Sequence, residues 1–97
     1  MTGSQISSQG LDARRRRLLF RSWHRGIREM DLVLGRFANA QIAALSESDL
    51  DEFERLLEVP DQQMFAWVCG TETAPPEIDT ALFRRVREFH LGGPTAA

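Results

Sequence analysis

The apolar residues of this 97-residue chain keep a helical spacing whose phase changes once, and that change restricts how the chain can fold. Five apolar residues after position 26 share about a third of a helix circumference, at about 100° per residue. They are Ile27, Met30, Leu34, Phe37 and Ala38. If the same helix ran backwards, Leu11 and Leu18 would lie on its opposite side, so one straight helix cannot bury both sets in one core. The sequence therefore predicts a break near residues 24–26, where Gly26 permits backbone conformations that other residues avoid.

Helical spacing extends over residues 11–91, with almost no period-two alternation and no short hairpin signal. It predicts helices near 12–23 and 27–39, the second with scope to reach residue 44. A third helix would begin at the N-cap Ser46, a short fourth at the N-cap Asp61, ending at Gly70, and a fifth at Pro76. The expected fold is all-α, a compact five-helix bundle in a single domain over 11–91. A disordered N-terminal lead (1–10) and a flexible tail (92–97) would flank it.

The last three helices each present apolar residues for burial. The third offers Leu50, Phe53, Leu56 and Leu57, the fourth Met64, Phe65, Trp67 and Val68, and the fifth Ile78, Leu82, Val86 and Phe89. We expect all of them in the core. Cys69 stands in the same apolar setting and is interpreted as a small core residue rather than a reactive thiolate. As the one cysteine of the chain, it forms no internal disulfide, and a reducing, cytoplasmic compartment fits.

The charges are numerous but nearly balanced. The chain has 12 basic residues, all arginine, against 14 acidic ones, so its net charge of −2 favours neither nucleic acid nor membrane. Within the arginine run at 14–17, consecutive residues point about 100° apart on a helix and cannot form one patch. Arg14, Arg17 and Arg21 do share a face, which we interpret as a solvated stripe in preference to a nucleic-acid or anionic-lipid surface.

Residues that carry chemistry are few. His24 and His90 have no Cys, Asp or Glu at metal-ligand spacing, so no metal site is expected. No nucleophile stands beside a base, and no glycine-rich phosphate loop follows a strand. The sequence therefore predicts a protein that is not an enzyme with its own catalytic site.

One face of the predicted second helix is unusual. Arg25, Glu29, Leu32 and Arg36 fall almost opposite its apolar centre. Arg25 and Glu29 are spaced as an i, i+4 ion pair, which by itself stabilises a helix only slightly. Gly26 beside them removes side-chain bulk, so that a partner backbone could approach charged groups closely. Two interpretations of Gly26 stay open: a helix–helix turn alone, or a turn that is also part of a protein-docking face.

Two sequence blocks carry a family resemblance that covers about residues 14–90. Residues 25–29 form an Arg-Gly-x-x-Glu motif, and a second block follows at a fitting distance. That block consists of Leu56, Leu57, Glu58, Asp61, Phe65 and Trp67. The chain resembles the SdhE family of FAD assembly factors, whose mitochondrial relatives are the succinate dehydrogenase assembly factor 2 proteins.

The resemblance implies a compact five-helix bundle and a function. The chain would bind the flavoprotein subunit of succinate dehydrogenase, and in some bacteria that of fumarate reductase. It would promote covalent FAD attachment to a histidine of that subunit. Such a factor holds no cofactor stably, acts on the FAD of its partner, and is expected to be a free monomer without nucleic acid or membrane insertion. A regulatory, antitoxin-like protein paired with a small membrane toxin is the alternative.

Carried over to this chain, the resemblance assigns partner binding to the motif and its flanks. The residues are Arg25, Gly26, Arg28, Glu29 and Asp31. His24 stands where the family often has an arginine, so a contact from that position is not carried over.

Overall fold

The computed structural model describes residues 10–92, and every regular element within them is a helix. The elements are α1 (Ala13–Ser22), α2 (Arg28–Gln41), a 3₁₀ turn (Ile42–Ala44), α3 (Glu47–Leu57), α4 (Asp61–Cys69) and α5 (Ala81–His90). The prediction of an all-α, single-domain five-helix bundle is confirmed. Apart from Gly10 and Gly92, the predicted lead and tail lie outside the described residues.

Three helices begin at a polar side chain that caps their first turn. Asp12, Ser46 and Thr80 each accept a hydrogen bond from the backbone N–H three residues later, at 3.4, 3.1 and 3.2 Å. Each bond satisfies a backbone donor that has no partner inside the helix. The predicted cap at Ser46 is confirmed.

Two predicted helix starts are wrong. Asp61 is the first residue of α4 rather than its cap, which is Pro60 and makes no side-chain cap bond. Pro76 begins no helix, since the backbone N–H of Ile78 closes a tight turn on the Pro75 carbonyl at 2.9 Å. The fifth helix starts only at Ala81, because the cap that satisfies its first turn comes from Thr80.

The core is built around α2. Its inward residues Met30, Leu34 and Phe37 are at most 1 % exposed, and so is Leu18 of α1. The ring centroids of Phe37 and of Phe53 in α3 are 5.8 Å apart, and the two ring planes are tilted relative to each other. Both apolar phases of the sequence therefore enter one core, as the predicted helix break requires.

Burial in the later helices follows the prediction in part. All four apolar residues named for α3 are buried, and so are Met64 and Val68 of α4. The expectation of deep burial is wrong for Phe65 and Trp67, which are half-buried, and for Cys69, which is exposed. Met64 and Val68 share the face of α4 that enters the core, whereas Phe65 and Trp67 pack against the edge of the core. Of the stripe predicted for the fifth helix, Leu82 and Val86 are buried in α5, Ile78 is buried in the turn before it, and Phe89 is half-buried.

A glycine that sequence reasoning did not single out fixes how α1 packs on α2. Gly35 is buried inside α2, and a Cβ atom built there would lie 2.3 Å from Cδ2 of the Trp23 indole. The indole Nε1 donates a hydrogen bond to Oδ1 of Asn39, one turn further along α2, at 3.1 Å. Trp23 thus lies flat across a helix surface that only glycine leaves open.

We expect Gly35→Ala to destabilise the protein by about 1–3 kcal/mol, because the added methyl group collides with a ring that cannot move aside freely. Helix propensity alone predicts the opposite sign, a gain of about 1 kcal/mol. Urea unfolding followed by circular dichroism measures the difference.

The exposed Ala40→Gly in the same helix is the control and should lose only the propensity difference. If the clash is the cause, the Gly35→Ala penalty shrinks in a Trp23→Ala background. An unchanged penalty there would contradict this explanation.

Candidate functional site

The turn between α1 and α2 centres on Gly26. Helix α1 ends at Ser22, Gly26 has φ +104°, and Ile27 is extended just before α2 begins. Residues with a side chain rarely adopt such a positive φ, so the glycine is needed for the turn itself. A Cβ atom there would have only Asp61 Oδ2 near it, at 4.0 Å, so the backbone conformation restricts this position and space does not. The predicted helix break is confirmed.

Arg25 lies inside the molecule rather than on its outward face. Its side chain is 12 % exposed, its Nε donates to Asp61 Oδ1 at 3.0 Å, and its Nη2 approaches the Val59 carbonyl at 3.4 Å. Its backbone N–H donates to Asp31 Oδ1 at 2.6 Å. The predicted outward placement beside Glu29 is wrong, because α2 begins three residues later and Arg25 does not share its helical phase. Arg25 and Asp31 hold the turn and join it to the start of α4.

The remaining motif residues face outward. Gly26, Arg28 and Glu29 are exposed, and Leu32 and Arg36 continue the same face along α2. Among residues 10–92, the side chains of Arg28, Glu29 and Arg36 form no hydrogen bond or ion pair. We call these five residues the α2 face. Its charges are free to pair with carboxylates or cations of another protein, and the glycine beside them adds no bulk.

A groove of about 150 Å³ borders the far end of the α2 face. Leu32, Val33 and Arg36 of α2 line it together with Phe89 and His90 of α5. Burial in this groove and, after it, the nearby Arg36 charge lower the pKa of the His90 imidazole, which favours its neutral form. The groove is wide enough for one side chain.

Most of the arginine run in α1 is used inside the molecule. The Arg14 guanidinium reaches Glu47, Asp51 and Glu54 of α3 at 3.1, 2.6 and 2.9 Å. Arg21 reaches the carboxylate of Glu58, the residue that follows α3, at 2.9 Å. The interpretation of Arg14 and Arg21 as a merely solvated stripe is therefore corrected: they join α1 to the acidic third helix, whose carboxylates raise the Arg14 pKa.

Other kinds of site find little support in the described part of the chain. In residues 10–92, no group of three or more His, Cys, Asp or Glu side chains is placed to hold a metal ion. Across the same residues, no helix has the length and apolar character needed to cross a membrane. The α2 face carries the exposed residues of the Arg-Gly-x-x-Glu motif.

The comparisons with known proteins agree on one family. The family model named Sdh5, described as flavinator of succinate dehydrogenase, matches residues 16–90. The chain is 37 % identical over 87 residues to a FAD assembly factor SdhE of Acetobacter pasteurianus, covering 90 % of this chain and 80 % of that protein.

Mitochondrial proteins called succinate dehydrogenase assembly factor 2 also match. The one from Debaryomyces hansenii is 40 % identical over 75 residues, which is 77 % of this chain and 53 % of the relative. The one from Dictyostelium discoideum is 36 % identical over 80 residues, which is 82 % of this chain and 57 % of that relative. The chain thus spans little more than half the length of these mitochondrial relatives. No solved structure matches the fold significantly.

We expect the Arg25–Asp61 pair to stabilise the turn measurably, since both side chains are largely removed from water. Arg25→Ala leaves the Asp61 carboxylate and the Val59 carbonyl without their donor and should cost about 1–3 kcal/mol. Arg25→Lys keeps the charge but cannot reach both acceptors in the same geometry, so it should recover only part of the loss.

A double-mutant cycle of Arg25→Ala and Asp61→Ala in chemical denaturation measures the coupling. The more exposed pair of Arg84 in α5 with Asp79, just before that helix, provides the comparison, and its coupling should be clearly smaller. Equal coupling in the two cycles would mean that Arg25 does not hold the turn.

Proposed function

This chain belongs to the family of succinate dehydrogenase flavinators, and from that premise we propose that it binds the flavoprotein subunit of succinate dehydrogenase and promotes covalent FAD attachment there. Its relatives are named for assembly of that enzyme and for assembly of FAD. One observation on this chain supports the proposal most directly. Arg28 and Glu29 are exposed, have no partner among residues 10–92, and stand beside a glycine at the helix break.

In this proposal the α2 face is the docking surface. Arg28 and Glu29 offer opposite charges one residue apart, so they can pair with a complementary cation and carboxylate and fix one orientation of the partner. Gly26 lets the partner backbone approach the turn. Leu32 supplies apolar contact further along the helix. Arg25 and Asp31 act in this scheme by keeping the turn in shape, rather than by touching the partner.

The factor contributes position rather than a reacting group. We propose that it holds the flavoprotein and its FAD so that the attacking histidine of the subunit meets the isoalloxazine methyl carbon. Holding reactants in a productive geometry lowers a barrier by several kcal/mol even without a chemical participant. In the proposal this chain keeps no flavin of its own, acts on the FAD of its partner, and is not an enzyme.

Removing either exposed charge should impair flavinylation without unfolding the protein. The chromosomal copy of this gene is deleted, and each variant is supplied on a plasmid. Arg28→Ala and Glu29→Ala should each lower covalent flavin on the flavoprotein subunit relative to the wild-type plasmid. A loss of about tenfold corresponds to one interfacial contact of ordinary strength. In-gel flavin fluorescence of denatured extract measures it.

Matched controls lie on other helices. Arg55→Ala in α3 and Glu88→Ala in α5 remove exposed side chains that likewise have no partner among residues 10–92, and should leave flavinylation unchanged. If all four variants behave alike, the α2 face is not the docking surface. If cells without the gene keep the full flavin signal, the proposed function itself is wrong.

The two roles of Gly26 can be separated by side-chain size. Gly26→Ala and Gly26→Arg both force a side chain into a φ of +104°, so each should cost about 1–2 kcal/mol of stability. Only the arginine also blocks the approach of a partner. We expect Gly26→Arg to abolish flavinylation and Gly26→Ala to reduce it mildly, both in protein that is still mostly folded. Equal losses would assign Gly26 to the turn alone.

A further inference from the structure

An aromatic ring stands in solvent close to the helix break. Phe20 of α1 is 61 % exposed, although the neighbouring Leu18 and Leu19 are buried. At 100° per residue, Phe20 lies on the side of α1 that faces away from those two leucines. Exposed apolar side chains are common, but a phenylalanine exposed this far is a large apolar surface for one residue.

The Phe20 ring is held in place rather than free to rotate in solvent. It stacks on the His24 imidazole, with ring centroids 3.8 Å apart and planes inclined by 18°. The His24 Nδ1 lies 2.7 Å from the Phe20 carbonyl oxygen. Since a carbonyl only accepts, Nδ1 carries the proton in this contact. A ring fixed before binding loses less side-chain entropy when a partner covers it.

The ring is bordered by positive charge that the fold leaves uncompensated. Four of the five α1 arginines bond to groups inside the molecule: Arg14 to α3 carboxylates, Arg21 to Glu58 just after α3, Arg15 to Asp12, and Arg16 to the Leu11 carbonyl. Arg17 forms no hydrogen bond or ion pair within residues 10–92. A shallow depression runs beside the ring, lined by Ala13, Arg16, Arg17, Phe20 and Arg21.

We propose that Arg17, Phe20 and His24 form a second contact surface for the flavoprotein subunit, one that receives an apolar side chain bordered by a carboxylate. This proposal rests on the proposed function above. The free guanidinium selects an anionic group, and its planar geometry fits a carboxylate in a bidentate manner. The ring supplies the apolar contact. We call these three residues the Phe20 surface.

Position along the chain connects the Phe20 surface with the α2 face. His24 lies in the turn two residues before Gly26, and its backbone N–H still approaches the Arg21 carbonyl of α1, at 3.4 Å. Along the chain, Gly26 lies between the Phe20 surface and Arg28, and in this proposal one partner covers the turn and contacts both. A nucleic-acid strand fits less well, because it pairs with a row of cations that have no other partner, and of the α1 arginines only Arg17 lacks a hydrogen bond or ion pair within residues 10–92.

Binding of the purified chain to the purified flavoprotein subunit that lacks covalent FAD tests the proposal by isothermal titration calorimetry. Phe20→Ala should raise Kd about tenfold or more, as loss of a central aromatic contact does. The control Leu91→Ala removes an equally exposed apolar side chain, 62 % exposed at the end of α5, and should leave Kd within about twofold. Circular dichroism melts should show that both variants fold like the wild type.

Arg17→Ala tests the charged part of the same surface. It should raise Kd about threefold at low salt, and the difference should shrink at high salt, because the contact is an exposed ion pair. Arg55→Ala, also exposed and without a partner among residues 10–92, should change neither Kd nor its salt dependence. Equal behaviour of the two arginine variants overturns the carboxylate part of the proposal.

A photocrosslinking amino acid identifies what covers the ring. With benzoylphenylalanine in place of Phe20, irradiation of the mixture should join this chain to the flavoprotein subunit. A crosslink only to a second copy of this chain overturns the proposal, and so does a Phe20→Ala variant with unchanged Kd. If Phe20→Ala leaves Kd unchanged while Glu29→Ala weakens binding, the proposed function stands and only the Phe20 surface fails. If the wild-type chain does not bind the subunit at all, both are overturned.

Discussion

The reversal of the chain at Gly26 is the constraint on which the rest of this structure depends. Leu18 of α1 and the apolar face of α2 belong to different helical phases, yet both reach the same core. Only a turn between them satisfies both, and the φ of +104° at Gly26 makes that turn. The packing of Trp23 on Gly35 follows from the reversal, since the ring that ends α1 must lie across the middle of α2. The turn at Gly26 thus brings both helices into one core and also determines where the exposed motif residues next to it lie.

Long-range ion pairs then decide which charges remain for a partner. Arg14 and Arg21 are neutralised by the acidic third helix, and Arg25 by Asp61 at the start of α4. In a chain with 12 arginines and 14 acidic residues, such internal pairing separates structural charges from available ones. Arg28 and Glu29 remain exposed without a partner among residues 10–92. Exposed charges without an internal partner can pair with complementary groups of another protein and fix its orientation.

The sequence predicts the local features of this fold and misses those that depend on contacts between distant segments. Helical spacing and the cap at Ser46 are local, and so is the φ preference of glycine, which is why the helices and the break at Gly26 could be predicted. Helical phase predicts an outward Arg25 side chain only if Arg25 belongs to α2, and it lies before that helix. Its partner Asp61 lies 36 positions away, so the sequence gives no local sign of the pair. Cys69 was misplaced because apolar neighbours in sequence do not show which side of a short helix meets the core. Glu29 lies within α2, so its outward direction could be predicted from helical phase, whereas the role of Arg25, which lies outside the helix, could not.

In the proposed function the chain acts only through the shape and charge that it presents to its partner, so rigidity at the turn has a functional consequence. Each contact that fixes the turn before binding reduces the entropy lost when the partner docks. Two contacts fix the turn: the Arg25–Asp61 ion pair and the hydrogen bond from the Arg25 backbone N–H to Asp31. The positive φ of Gly26 sets its backbone conformation. The two contacts bury part of a charged motif that a docking surface would otherwise expose. In the proposed function the motif therefore works as a unit. Arg25 and Asp31 hold the geometry of the turn, and Arg28 and Glu29 meet the partner.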